Sequence, residues 1–229
     1  MRVANSATGV STSDLYAMYR ARHTELSSDN QLRLRRCLSW LEKAENEHLA
    51  EDFDTSFVFH WIVFNSMYAT SETENQPSLF KVYLEKITRL DYNHSIRNAL
   101  QPLFGPYISP LLRTRYVYGI YWKYDLDQDA RNQTDAAWEE KRKNVTKTIS
   151  AGLTPNGDIN HALNCIFDLL YVLRNQLIHG LATYKGSVNR DQVRNGSMIL
   201  ARVVPCFAVL MLGYPDQDWG QSPYPPINR

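Results

Sequence analysis

Apolar residues recur at helical spacing in long stretches that short polar breaks separate. In one stretch Leu34, Leu38 and Leu41 share a side and charged residues occupy the other, which predicts an amphipathic helix over about 30–49. No stretch shows the alternation that is typical of strands. The sequence therefore predicts an all-α fold, a helical bundle with a core of four or more helices. Further helices are predicted at about 13–27, 55–70, 77–91, 134–150, 158–179 and 191–212.

Several residues suit the ends of these helices. Asp54 or Thr55 can accept backbone N–H groups at the start of the uncharged helix near residue 55. Asp158 suits the N-cap of the helix that follows it, and Gly180 suits the position just after that helix ends. Pro205 lies inside the last predicted helix and is expected to kink it.

The same pattern indicates one main domain. Residues 1–12 are polar and predicted to be flexible, residues 13–213 form a single helical domain, and residues 214–229 form a Pro-rich, extended tail. The aromatic segment 111–124 is compatible with a helix or a strand, and its helical neighbours favour a helix.

Composition narrows the classes of function only slightly. The 229 residues carry a net charge of +1, so a nucleic acid would have to bind a local patch of positive charge. Cys37, Cys165 and Cys206 form no CxxC pair, which favours free thiols in a reducing compartment. The N-terminus lacks the apolar core of a signal peptide, and the apolar run 55–71 is short for a membrane span. We therefore expect a cytoplasmic protein with no membrane partner.

The helix predicted at 158–179 has an unusual polar side. It contains no Lys and no Glu, which are the residues that solvated helix faces usually carry. Its polar side therefore suits a second interface or a cleft better than open water. The apolar seam comprises Ile159, Leu163, Ile166, Leu170, Leu173 and Leu177. The polar side comprises His161, Asn164, Asp168, Asn175 and His179.

Arg174 and His179 stand close to the end of this helix but point in different directions. On an ideal helix they are about 140° apart, whereas Asn175 and His179 lie on the same face. They could converge on one phosphate if the last turn distorts, or if a second copy of the helix faces the first across a two-fold axis. The second arrangement predicts a homodimer whose site forms between the two copies.

Two segments resemble a known family. The string RNQLIHG at 174–180 resembles the R-x4-H motif of the HEPN superfamily, in which a polar residue follows the arginine. The string FHWIVFNSMYA at 59–69 resembles the second core helix of larger HEPN proteins of bacterial type. The resemblance covers about 30–70 and 157–212, and it leaves about 92–150 as a helical insertion.

The resemblance implies a homodimeric, metal-independent endoribonuclease that needs no cofactor. It implies catalytic roles for Arg174, Asn175 and His179 at a composite cleft, and a function as a toxin or antiviral defence effector with a possible antitoxin or regulatory partner. Some family toxins carry a tyrosine, modified by the antitoxin, two residues after the histidine. Here that position is Leu181, and the nearest tyrosine is Tyr184.

Other residues could support this site. Tyr184, Lys185 and Arg190 follow the motif and could contact RNA by stacking and charge, or they could form a solvated loop. Asn65 and Asp168 are candidate supporting residues.

Segment 81–124 offers a second candidate RNA-binding region. It interleaves seven Lys and Arg residues with aromatic residues, either as a substrate-binding arm or as a solvated face over an aromatic core. His60 and His161 are interpreted as core or interface histidines.

An alternative interpretation of the motif is purely structural. Arg174 would pair with an acid such as Asp168, and His179 would be a helix C-cap that the helix dipole stabilises. The chain would then be a non-catalytic HEPN-like dimerisation module, or a module that binds nucleotides or RNA.

Overall fold

The protein is a bundle of α-helices, as the sequence predicts. A computed structural model describes residues 10–71, 79–122, 128–187 and 189–224, with only the backbone of 128–134. Those ranges contain no strand, which confirms the all-α prediction. The helices are α1 (Thr12–Arg22), α2 (Ser28–Leu49), α3 (Phe53–Tyr68), α4 (Leu79–Leu90), α5 (Ser95–Leu100), α6 (Ser109–Leu112), α7 (Gln128–Gly152), α8 (Ile159–Ile178) and α9 (Arg190–Gly213).

Helix α9 occupies the centre of the bundle. It packs against α1 to α6 and α8, while α2 and α3 form a hairpin and α7 pairs with α8. It runs without interruption through Pro205. It is also the one described helix long and apolar enough to cross a membrane, by length and composition alone. Within the protein, 72% of its apolar window is buried, as in the core helix of a bundle.

Two local predictions need correction. Asp52, and not Asp54 or Thr55, caps α3, since its Oδ1 accepts the Thr55 N–H at 3.2 Å. Asp54 instead binds a distant loop that is described below. The segment predicted as a helix over 111–124 is not one helix as far as residue 122, where its description ends. Thr114 is extended between α6 and a 3₁₀ turn, and Tyr118 is extended between that turn and the next one. These breaks let the consecutive side chains of Val117 and Tyr118 both face the core.

The segment predicted as an insertion is part of the core in the region that the structure describes. Its apolar side chains pack in the same cluster as those of α2, α3 and α9. Arg97 is buried and donates from Nη2 to the Gly157 carbonyl at 2.7 Å, which ties α5 to the loop after α7. The buried apolar residues between 92 and 150 are Ile96, Ala99, Leu100, Ile108, Leu111, Leu112, Val117, Tyr118, Val145 and Ile149.

The C-terminal tail also packs on the bundle as far as residue 224. Arg33 on α2 is fully buried, and its Nη2 donates to the Gly220 carbonyl at 3.0 Å. Its Nη1 donates to Met67 O at 3.0 Å and Ala69 O at 2.7 Å, at the end of α3. Trp219 is buried in the core cluster. The predicted extended tail is therefore an integral part of the fold where it is described, and residues 225–229 lie outside the described residues.

Residues 1–9 also lie outside the described part of the chain. Of the predicted flexible segment 1–12, the structure therefore describes only residues 10–12. There Ser11 caps α1 in a capping box with Asp14, and Thr12 is the first residue of the helix.

A buried polar cluster joins α2, α3 and α9. His60 is fully buried, and its Nδ1 lies 2.9 Å from the Ser56 carbonyl, which makes Nδ1 the protonated nitrogen. Its Nε2 is buried without a hydrogen-bond partner among the described residues. Ser197 Oγ donates to Ser56 Oγ at 3.0 Å, and His48 Nδ1 lies 3.4 Å from both hydroxyls. Burial lowers the pKa of His48, and it lowers the pKa of His60 to about 4.

We expect this cluster to make the protein less stable in acid. The pKa of His60 is about 4 in the folded state and about 6.5 in the unfolded chain. The stability that neutral His60 contributes is complete above pH 6.5 and falls as the pH drops toward 4, by about 3 kcal/mol in all. Urea unfolding at pH 7 and pH 4.5 measures this loss.

Two variants identify the source of the acid effect. His60→Gln should show a difference between the two pH values that is smaller by about 2 kcal/mol. His161→Gln, at an exposed histidine, should keep the parent's difference. Equal differences in the parent and His60→Gln would contradict the assignment.

Candidate functional site

The motif helix begins and ends where the sequence predicts. Asp158 caps α8 through a 3.1 Å bond from the His161 N–H to its Oδ1. Gly180 follows the helix with φ +70°, a conformation that glycine adopts without strain.

A Schellman motif closes α8. The Leu181 N–H donates to Gln176 O at 2.8 Å, and the Gly180 N–H donates to Leu177 O at 3.2 Å. His179 is the C-cap residue and its side chain is exposed. The helix is therefore regular up to Ile178, and His179 follows it as the C-cap residue with φ −87° and ψ 9°.

Arg174 is half-buried and hydrogen-bonded to its neighbour. Its Nη1 donates to Asn175 Oδ1 at 3.0 Å, so the guanidinium leans around the helix toward the side that carries His179. Its Nε is buried and has no partner among the described residues.

The arginine lies beside the end of α3. The Tyr68 hydroxyl donates to Asn65 Oδ1 at 2.8 Å. Burial raises the pKa of Tyr68 to about 12, although the nearby charge of Arg174 acts in the opposite direction. Asn65 is bonded to the tyrosine that senses the charge of Arg174, and its supporting role stays a prediction.

Asp168 has a different partner from the one that the structural alternative assigns to it. Its Oδ2 lies 2.9 Å from Lys81 Nζ on α4, with both side chains about half exposed. Arg174 forms no ion pair with a described carboxylate, and its charge is therefore available to an anionic ligand. His179 does serve as the C-cap, so this part of the structural interpretation agrees with the geometry.

The loop after α8 is held to the start of α3. Lys185 N and Arg190 Nη2 each donate to Asp54 Oδ2 at 2.7 Å. The Tyr184 hydroxyl donates to Asp52, and Lys185 Nζ lies 3.5 Å from the same carboxylate. Both cations of the predicted RNA-binding loop thus already have carboxylate partners, and a role in RNA binding stays a prediction.

Gln176 is a site residue that sequence reasoning missed. It is buried, its Nε2 donates to the Tyr116 carbonyl at 2.7 Å, and its Oε1 accepts from Asn189 Nδ2 at 2.9 Å. It thereby holds two separate segments against the end of α8. The available signal was its position, since it stands on the helix between the polar side and the apolar seam.

Gln176 also holds the segment of a group of aromatic rings beside α8. We call Arg115, Tyr116, Tyr121 and Trp122 the aromatic cluster. The Arg115 guanidinium lies 5.6 Å from the ring centre of Tyr116 and 5.1 Å from that of Tyr121. Trp122 Nε1 donates to the Tyr116 carbonyl at 2.9 Å. The cluster is therefore an ordered unit.

The described residues contain no group of three or more His, Cys, Asp or Glu side chains that could hold a metal ion. Comparisons with protein-family models, curated proteins and solved structures gave no match for this chain. The geometry and chemistry of α8 are therefore the basis for any assignment of function.

Proposed function

We propose that this chain is a metal-independent endoribonuclease of HEPN type, which acts at a cleft between two copies of itself. One observation carries the proposal. A hydrogen-bonded Arg174–Asn175 pair stands about one turn from the exposed His179, on a helix that contains no Lys and no Glu. Arg174 has no carboxylate partner among the described residues and His179 is exposed, which is consistent with a site that is open to a ligand.

His179 and Arg174 supply the groups that RNA cleavage requires, and Asn175 holds Arg174 in place. The reaction needs a base for the ribose 2′-OH, a cation at the phosphate and an acid for the leaving oxygen. The His179 imidazole takes the 2′-OH proton as the base, and the imidazolium so formed returns a proton to the leaving oxygen as the acid. Arg174 offers a permanent cation with fork geometry for phosphate oxygens, and Asn175 orients its guanidinium. The route requires a 2′-OH, so DNA is not a substrate.

The regular geometry of α8 supports a composite site. On an ideal helix the positions of Arg174 and His179 are about 140° apart, although the Arg174 guanidinium bends back toward Asn175. A second copy, related by a two-fold axis, brings the histidine of one chain opposite the arginine of the other. Ile178 and Leu181 beside His179 are 44% and 75% exposed, and such a partner would cover them.

The biological role follows from the resemblance to HEPN proteins. A cytoplasmic toxin or antiviral effector of this kind acts on cellular RNA. Its activity is restrained by a partner or released by a trigger. The position that some toxins reserve for a modified tyrosine holds Leu181, so restraint here takes another form.

The first test is cleavage of mixed cellular RNA in excess chelator. We expect the parent protein to cleave, and His179→Ala to be slower by a factor of about 100 to 10,000. His161→Ala is the matched control, because His161 is an exposed histidine on the same helix. Cleavage by parent and His179→Ala at equal rates, with fold and oligomeric state matched, would contradict the proposal.

The second candidate function is RNA binding without cleavage. The exposed aromatic cluster favours it, because rings beside a cation bind bases whether or not a reaction follows. Binding of RNA by a parent protein that leaves the RNA intact would select this candidate.

A further inference from the structure

The aromatic cluster exposes more apolar ring surface than a bundle of this kind requires. Tyr116 is 36% exposed and Trp122 is 56% exposed, whereas most rings of α3, α4 and α8 are packed together in the core. The ring centres of Tyr116 and Tyr121 lie 5.4 Å apart with their planes at 86°. Tyr121 and Trp122 repeat this distance and angle. The three rings therefore present faces in different directions within a small area.

The cluster is fixed against the helix that carries the proposed catalytic residues. Gln176, which binds the Tyr116 carbonyl, precedes His179 by three residues, or about 4.5 Å along the helix axis. The 3₁₀ turn that begins at Gly119 also packs on α8. A Cβ atom added at Gly119 would lie 3.8 Å from Val172 Cγ2. The segment that carries the rings thus packs on the side of α8 that holds Val172 and Gln176, one turn before His179.

Positive charge accompanies the rings. Arg115 lies against two of them, and its Nη1 is 3.4 Å from Asp135 Oδ1. Arg113 is exposed, donates to Ser109 Oγ at 3.2 Å and pairs with no carboxylate in the described residues. Rings interleaved with cations are the arrangement by which proteins hold single-stranded nucleic acid.

We propose that bases of single-stranded RNA stack on the aromatic cluster beside His179, while Arg113 and Arg115 contact the adjoining phosphates. This inference rests on the proposed function, because it places the stacked bases next to the phosphate that is cleaved. The bases of a duplex are already stacked on each other, so the cluster favours unpaired RNA.

The test measures RNA binding without cleavage. The full chain carries His179→Ala, and its affinity for a random-sequence single-stranded RNA of about 12 nucleotides is measured by fluorescence anisotropy in chelator. Adding Trp122→Ala should weaken binding about tenfold, because one stacking face is lost. Trp122→Phe keeps an aromatic face, and its affinity should stay within about threefold of the parent's. Trp40→Ala, which removes an exposed tryptophan from α2, should leave affinity unchanged.

Several results would overturn the inference. They are an absence of binding by the His179→Ala chain, equal affinity with and without Trp122→Ala, or an equal loss in Trp40→Ala. If Trp122→Phe binds as weakly as Trp122→Ala while both are folded, the indole hydrogen bond matters and stacking does not. The proposed function fails separately. If RNA binding depends on Trp122 but the parent does not cleave RNA, the stacking role stands and the ribonuclease function is rejected. If the parent cleaves RNA but Trp122→Ala does not change binding, the ribonuclease function stands and the stacking role is rejected.

Discussion

A heterodimer of the Arg174→Ala and His179→Ala chains is expected to regain about half of the parent's rate of RNA cleavage. Each variant alone should cleave more slowly by a factor of about 100 or more, because each lacks either phosphate stabilisation or proton transfer. Differently tagged chains are co-expressed, and the heterodimer is purified through both tags. Cleavage of mixed RNA in chelator is then measured.

The geometry of α8 is the reason for this recovery. The positions of Arg174 and His179 are about 140° apart on a regular helix, and the Schellman motif closes α8 in a regular way. A site therefore takes its arginine from one chain and its histidine from the other. In the heterodimer one of the two sites receives an intact Arg174 and an intact His179, whereas the other site receives neither.

The reciprocal heterodimer gives a matched control. A parent chain paired with the Arg174→Ala, His179→Ala double variant should be inactive, since neither site has both residues. If each chain instead holds a complete site, this control would keep about half of the activity and the first heterodimer would have none. That pattern would refute the shared cleft while leaving the ribonuclease assignment intact.

Arg33→Met is expected to lower the free energy of unfolding by about 3–5 kcal/mol. Apolar replacement of a buried charge can be neutral when its partners are replaced as well. Here the acceptors are backbone carbonyls of Met67, Ala69 and Gly220, and they remain in place without a donor. Domains of this size are stable by roughly 5–15 kcal/mol, so the loss would be a large share of the total stability. Urea unfolding followed by tryptophan fluorescence measures the effect.

Arg35→Met is the control for this prediction. Arg35 lies two residues farther along α2 and is exposed. Its replacement should change the free energy of unfolding by no more than about 0.5 kcal/mol. Equal effects of the two substitutions would show that Arg33 does not hold the end of α3 and the tail together.

The helices could be predicted because their signals are local. The long apolar periodicity gave α2, α8 and α9 to within two residues at each end, and the caps Asp158 and Gly180 marked the limits of α8. The choice of Asp52 as the cap of α3 could not be predicted in this way. Several nearby residues are good caps, and the distant loop that contains Lys185 is what occupies Asp54.

The central part of the site followed from ideal helix geometry. Arg174 and Asn175 lie in the last turns of α8, and His179 is its C-cap, as the predicted limits of the helix require. Contacts between residues far apart in the sequence could not be predicted. Nothing local separates the buried Arg33 from the exposed Arg35, because the burial of Arg33 depends on a tail far along the chain.

The anchoring of the tail also sets the order in which the protein can mature on the ribosome. Arg33 and the carbonyls at the end of α3 are made early, whereas Gly220 is made 187 residues after Arg33. Until then a buried guanidinium lacks one of its acceptors, and Trp219 is missing from the core. The α2–α3 hairpin therefore reaches its final state only after α8 and α9 have been synthesised. Folding of this chain is tied to late translation, and a nascent chain that stalls before residue 220 carries α8 without the completed bundle that supports it.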